Sequence, residues 1–259
     1  MQRVDAPEIL DSNACSPREA QAVLKVLSRI NRWFGGVRTT QKMVAHVAQV
    51  AGIKRLSLLE VAAGSGQVPD LVRKKLARRG IALDVTLLDM ARSHLPAVDP
   101  RGGNGQRQSP SVVADALAVP FAEGAFDVVS CSLFAHHLDP QQLKHFVQEA
   151  LRVSRRAVLI NDLVRHPLHL ALAYAGYPIM RNRVAWLDGL TSVRRAYVPK
   201  EIERLLRADL GSEAPPHLEI SRHYLYRMGV IIWKNSAKEG GLPSARPRLP
   251  SHYRGREKI

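Results

Sequence analysis

The chain has 259 residues, 46% hydrophobic and 24% charged, with two cysteines and a formal net charge of +15. A domain of that length buries roughly three-quarters of the surface its unfolded chain exposes, which excludes a long disordered protein and a fold that depends on disulfides or structural metal. Cys15 and Cys131 stand too far apart for a CxxC redox or zinc motif, and their scarcity suits a reducing compartment.

In chain order, MQRVDAPEILDSNACSP carries no apolar run behind a basic start, so no signal peptide is read and the expected location is cytoplasmic. Ser16-Pro17-Arg18-Glu19 reads as an N-cap, a proline at the first helical position and a capping-box acid. The helix it opens has Val23, Leu27 and Ile30 on one face and ends near Gly35-Gly36; a second follows through Val44, Val47 and Ala51. Together they form a helical preface over residues 1–51. Arg55 to Ala62 is a β-rich run that breaks at Gly64-Ser65-Gly66, and Val68 to Arg79 is helical. Further apolar runs, Ile81 to Leu88 and Ser111 to Ala114, end at Asp89 and Asp115 on either side of a Gly/Pro/Ser-rich loop. Phe126 to Phe134 reads as a fourth strand, Asp139-Pro140-Gln141-Gln142 as a helix cap, and Ala157 to Ile160 as a fifth strand ending at Asn161-Asp162. Strands alternating with helices imply a parallel sheet covered on both faces.

The rhythm then changes. Residues 164–197 form a mostly helical insertion; its apolar run from Pro167 to Met180 is too short to span a membrane. A helix follows Pro199, and two closing strands near Leu218–Tyr224 and Met228–Trp233 can turn back on each other. Lys234 to Ile259 holds seven basic and two acidic residues, a surplus of +5, so residues 236–259 read as a disordered basic tail and the remaining charge as a solvated surface. No nucleic-acid partner is expected on this basis, while weak association with a membrane surface stays open.

The informative stretch is LLEVAAGSGQVPDLV, Leu58 to Val72, where a strand runs through a glycine turn into a helix N-terminus and exposes backbone donors to a ligand. As a nicotinamide fingerprint it fails, because the third glycine falls on Pro69. It resembles the first motif of the class I S-adenosylmethionine-dependent methyltransferases, an acid followed by a glycine-rich turn, matched by Glu60, Gly64 and Gly66. Ala62 stands where that family usually has glycine. Asp89 lies 23 residues after Gly66, where a doubly wound fold places the carboxylate that binds ribose hydroxyls. VADALAVPF around Asp115 resembles the family's adenine-contacting segment, and FDVVSCSLFAHHL and ALRVSRRAVLINDLVR resemble its fourth and fifth strands.

The resemblance covers about residues 53–235 and implies an α/β fold with a Rossmann-like seven-stranded sheet, helices on both faces and a terminal antiparallel hairpin, its methyltransferase domain spanning residues 52–235. It implies S-adenosylmethionine as cofactor, held by Glu60, Ala62, Gly64, Gly66, Asp89, Met90, Asp115 and Ala116. Within the class, INRWFGG, the histidine pair, Asn161-Asp162-Leu163 and SVRRAYVPKEI look most like bacterial methyltransferases of phenolic or quinone-like molecules, including those that accompany type III polyketide synthases.

The expected activity is methyl transfer to an oxygen, with carbon second, of an aromatic, quinone-like or polyketide small molecule. Transfer to oxygen requires loss of a proton, and His136 and His137 are the candidate bases. Asn161 and Asp162 are candidates to orient the acceptor, and Tyr174 and Tyr177 of the insertion to cover it. The fourth-strand end lacks the Asn/Asp-Pro-Pro-aromatic motif of base methylation. No metal is expected. Two alternatives stay open: an RNA-directed methyltransferase, and a non-catalytic protein that binds the cofactor for regulation.

Overall fold

A computed structural model describes residues 1–10, 16–96, 109–207 and 217–234. The expected tail over 236–259 and the centre of the loop before the third strand lie outside these residues.

Helix α1 (Pro17–Trp33) starts on the capping box read from its sequence: the Ser16 hydroxyl accepts from the Glu19 amide, and the Glu19 carboxylate accepts from the Ser16 amide at 3.0 Å. It ends as Gly35 takes φ +84°, and α2 (Gly36–Val50) follows. Next come β1 (Arg55–Val61), α3 (Gln67–Ala77), β2 (Ala82–Asp89), β3 (Ser111–Val113) and β4 (Phe126–Ser132). After a 3-10 turn over Ala135–His137, α4 (Pro140–Val153) opens on a second capping box at Asp139. The chain closes with β5 (Ser154–Leu163), α5 (Pro167–Ala175), α6 (Tyr177–Met180), α7 (Arg183–Arg195), α8 (Pro199–Arg207), β6 (Leu218–His223) and β7 (Arg227–Trp233).

The seven strands form one sheet in the order β3-β2-β1-β4-β5-β7-β6, parallel through β5, with β7 antiparallel to both β5 and β6. This is the Rossmann-like seven-stranded sheet with a terminal antiparallel hairpin that the resemblance implies. Side chains alternate between two cores. Leu58, Ala157 and Leu159 face α2 and α3 with Val44, Val47 and Leu76, whereas Leu59, Val158 and Ile160 face α4 and α8 with Phe146 and Ile202. At roughly 25 cal/mol per Å² of apolar burial, these layers are the main force holding the crossover helices on the sheet.

Two boundaries differ from the sequence reading. β4 stops at Ser132, because Leu133 takes φ +56° and turns the chain into the 3-10 turn that carries both histidines. β5 starts at Ser154, directly after α4, and runs past the apolar stretch to Leu163; Asn161 and Asp162 are paired with Gly229 and Met228 of β7. Polar residues stay within this strand because each side chain finds buried partners.

Candidate active site

Strand β1 lies between β2 and β4, so the connections leave its carboxyl end in opposite directions and open a crevice there. The crevice is a cavity of about 770 Å³, walled by the ends of β1, β2 and β4 and covered by α1, α7 and the N-terminal segment. That volume suits a sizeable small molecule.

At one end lies the glycine turn. Ala62, Gly64 and Gly66 take φ of +52°, +52° and +68°. Gly66 does not line the cavity; it lets the chain enter α3, where an added Cβ would stand 2.5 Å from Leu87 Cδ1. Ala62 and Gly64 do line it. Asp89, at the tip of β2, accepts the Gly64 amide at 2.8 Å and the Ala91 amide at 3.0 Å, which ties the turn to the neighbouring strand. Met90 beside it is 74% exposed. Asp115 accepts the Leu117 amide at 2.9 Å in an Asx turn, and Ala116 is buried. Asp89, Met90, Asp115 and Ala116 all line the cavity.

Glu60 is the unusual member. It is buried, borders the cavity, and its Oε2 has no hydrogen-bond partner. Burial pushes its pKa up to about 7, an effect that Ser130 and Ser132 offset only in part. A carboxylate left this way is poised for a ligand that brings donors or positive charge.

Glu8, His136 and His137 line the same cavity. His136 is buried, with Nδ1 2.7 Å from Asp162 Oδ1, and its own amide donates to Asp162 Oδ2 at 2.9 Å. Its Nε2 lies 3.3 Å from Glu8 Oε1 without hydrogen-bond alignment, and His137 Nε2 lies 3.8 Å from the same oxygen. Burial alone would discourage charge on His136, but Asp162 and then Glu8 outweigh it and raise its pKa to about 10. His136 therefore differs from the free base expected from the sequence: two carboxylates favour positive charge on it. His137 is partly exposed and stacks on Phe134.

Other expected acceptor residues lie elsewhere. Side chains alternate along β5, so Asp162 points to His136 while Asn161 points to α2, donating to Gly36 O and Thr40 Oγ1 at 2.9 Å and accepting from Arg227 at 3.1 Å. Neither residue lines the cavity. Tyr174 and Tyr177 pack edge-on against Trp186 at a surface, 46% and 47% exposed, and do not line it either. From the insertion, Asp188 and Ser192 of α7 reach the wall. Arg165 and Arg195 of the insertion are buried and spend their donors on backbone carbonyls and Glu201.

The sequence reading missed Glu8, Leu10 and the α1 wall of Leu24, Leu27 and Asn31. The apolar stripe of α1 was visible as a buried face, but nothing in the spacing said what it covers. Glu8 sits in a stretch without periodicity, and its hydrogen bond from Ser192 spans 184 positions.

Residues 59–160 match the family model described as a methyltransferase domain. No curated protein matches the chain by sequence. Among solved structures, the plantazolicin methyltransferase BpumL in complex with S-adenosylhomocysteine is similar at a TM-score of 0.60 and 14% identity, over 84% of this chain and 96% of that one. A SAM-dependent methyltransferase from Aquifex aeolicus aligns at 0.56 and 15%, over 85% and 99%. Human N-acetylserotonin methyltransferase in complex with SAM aligns at 0.56 and 12%, over 83% of this chain and 56% of that one. At these identities the structural likeness is one of fold.

Proposed function

Starting from a chain that carries a class I S-adenosylmethionine-dependent methyltransferase domain, with S-adenosylmethionine as its cofactor, we propose that it methylates an oxygen, with carbon second, of an aromatic, quinone-like or polyketide small molecule. The cofactor supplies a methyl group already activated on a sulfonium. The residues at the glycine turn fit such a ligand. Glu60 offers a buried oxygen without a partner, Gly64 leaves bare backbone at the wall, and Asp89 keeps lone-pair capacity beyond the two amides it accepts and His94 at 3.4 Å. Met90 and Ala116 add apolar surface to the lining.

One observation carries the reading: a single cavity joins that cradle to a Glu/His/His cluster. The wall includes Leu24, Leu27, Leu133, Phe134 and Leu138 beside polar groups such as Asn31 and Gln142, which suits an acceptor with both an apolar body and a polar group. A hydroxyl acceptor must lose one proton as its oxygen is methylated, and the Glu8–His136–His137 cluster is where we place that loss. Asp162 acts through His136, whose ring it orients, rather than on the acceptor.

The same reading includes weak association with an anionic membrane surface. It is supported by α5 and α6, where Leu168, Leu172, Tyr177 and Ile179 are exposed and Arg181 and Arg183 follow.

The test begins with S-adenosylhomocysteine. At about a hundredfold its dissociation constant it should stabilise the wild type by roughly 2.7 kcal/mol, several degrees in Tm. Asp89→Asn should respond much less, and it disturbs the turn less than alanine because an amide oxygen still accepts from Gly64. Labelled methyl from the cofactor should then appear in extractable phenol or quinol products. No shift in a folded wild type would overturn the reading, and cofactor binding without a methylated product from any acceptor would favour the regulatory alternative.

A further inference from the structure

Glu8, His136 and His137 converge more closely than proton transfer requires. Glu8 Oε1 is 3.3 Å from His136 Nε2 and 3.8 Å from His137 Nε2, and the three ligand atoms all lie within 4.8 Å of one another. A tetrahedral zinc ion bound at its usual lengths to nitrogen and oxygen holds its ligand atoms roughly 3.4 Å apart. The His136 Nε2 is buried and faces Glu8 Oε1 across the cluster at 3.3 Å without the alignment of a hydrogen bond, so a cation seated between them would bind both.

The surroundings fix these groups in place. His136 Nδ1 is 2.7 Å from Asp162 Oδ1, the carboxylate–imidazole arrangement that orients a metal-ligating histidine and leaves Nε2 to the ion. Ser192 donates to Glu8 Oε1 at 2.7 Å and turns that carboxylate towards the histidines. The backbone carrying the two rings is clamped from outside: Arg195 donates to the carbonyls of His136 and His137, and Arg3 to those of His136 and Leu138. Two carboxylates within reach of one imidazole concentrate the negative charge that attracts a cation of either kind, a proton or a metal.

We propose that Glu8, His136 and His137 form a binding site for a divalent transition-metal ion, zinc foremost, with a fourth position open to the cavity. This departs from the expectation of no metal. It deepens the methyl-transfer reading and rests on it: an ion there lowers the pKa of a hydroxyl held at the acceptor end. Three protein ligands with one open position is the pattern of catalytic rather than structural zinc.

The experiment uses the full chain, purified without chelator or a metal-affinity column, exchanged into zinc or cobalt(II) and desalted. Bound metal is quantified by mass spectrometry, and the cobalt form is read by its visible spectrum. We expect about one equivalent of zinc and the intense bands of four-coordinate cobalt in the wild type and in His145→Ala, a surface control. Glu8→Gln and His137→Ala should bind at least tenfold more weakly while keeping the wild-type circular dichroism. If either variant fails to fold, the wild-type stoichiometry and cobalt spectrum decide alone. Less than a tenth of an equivalent retained, a six-coordinate spectrum, or equal binding by the folded variants would overturn the site. S-adenosylhomocysteine binding is measured in parallel. Cofactor without metal refutes only the cation site, whereas loss of cofactor binding in folded protein refutes the methyl-transfer reading itself.

Discussion

Ala62 holds φ at +52°, a backbone region that costs an L-residue with a Cβ about 1 kcal/mol or more and glycine almost nothing. The alanine stands where the motif it resembles usually has glycine, yet the backbone keeps the glycine conformation. Ala62→Gly should therefore stabilise the protein by up to about 1 kcal/mol, a rise in Tm of about 2–4 °C by calorimetry; a fall would show that the Cβ packs better than the strain costs. Glu60 makes a pH prediction. Its folded pKa of about 7 lies above the ordinary 4.5, so the folded state holds the extra proton between those values. Its contribution is present in full below pH 4.5 and is lost as pH rises through 7, a loss of about 3 kcal/mol without cofactor. Urea unfolding at pH 5 to 8 should show this decline in the wild type and a flatter profile in Glu60→Gln. Parallel profiles would place the pH dependence elsewhere.

Among the elements, β5 decides most. Its alternation sends Asn161 to the α2 side and Asp162 to the histidine turn, so two adjacent polar residues serve different parts of the molecule. Asn161 belongs to a network centred on Arg227 of β7, which is fully buried and donates to Phe34 O, Asn31 and Asn161 at 3.1, 2.6 and 3.1 Å. Burial lowers the Arg227 pKa to about 10, which still leaves it charged at neutral pH. The guanidinium thus joins the α1–α2 corner, which roofs the cavity, to the sheet. Arg227→Met keeps much of the volume but leaves three acceptors without their donor in the interior, a cost of about 3 kcal/mol. Its Tm should fall by about 6–12 °C; a change under about 1 kcal/mol would mean that the corner is held by apolar packing alone.

For the whole molecule, the first ten residues act as a strap. Ile9 and Leu10 amides donate to Asp188, Arg3 reaches the carbonyls at His136 and Leu138, and Arg195 reaches back to Ala6 O. The strap carries Glu8 to the histidines and, with α1 and α7, closes the side of the crevice that the sheet leaves open. The insertion divides in two: α7 faces the cavity with Asp188 and Ser192, while α5 buries none of its residues. Among the described residues no helix is long and apolar enough to cross a membrane. A surface role for α5 and α6 predicts co-sedimentation with phosphatidylglycerol vesicles that weakens with salt and drops severalfold in Leu172→Asp. Equal behaviour with uncharged phosphatidylcholine vesicles, or no change in the variant, would count against it.

The sequence by itself determined the sheet's strands, both capping boxes and the glycine turn with the acids at the strand tips, where we propose the cofactor binds, because each rests on neighbours in the chain. Ser16 and Asp139 cap their helices through partners three residues on, Gly64 and Gly66 form one turn, and Asp89 and Asp115 stand at or just after the ends of their own strands. Only the tertiary structure decided the Glu8–His136–His137 cluster. Glu8, His136, Asp162 and Ser192 meet from four separated segments, and no periodicity records a contact of 184 positions. The same holds for Arg227, which reads as an ordinary surface charge until β7 is placed beside β5. Tyr174 and Tyr177 show the converse: their composition suits a binding wall, but the direction in which α5 and α6 pack turns them to the surface. Local hydrogen-bonding chemistry is written along the chain, whereas convergence of distant side chains is set by which faces of the sheet and helices bury against each other.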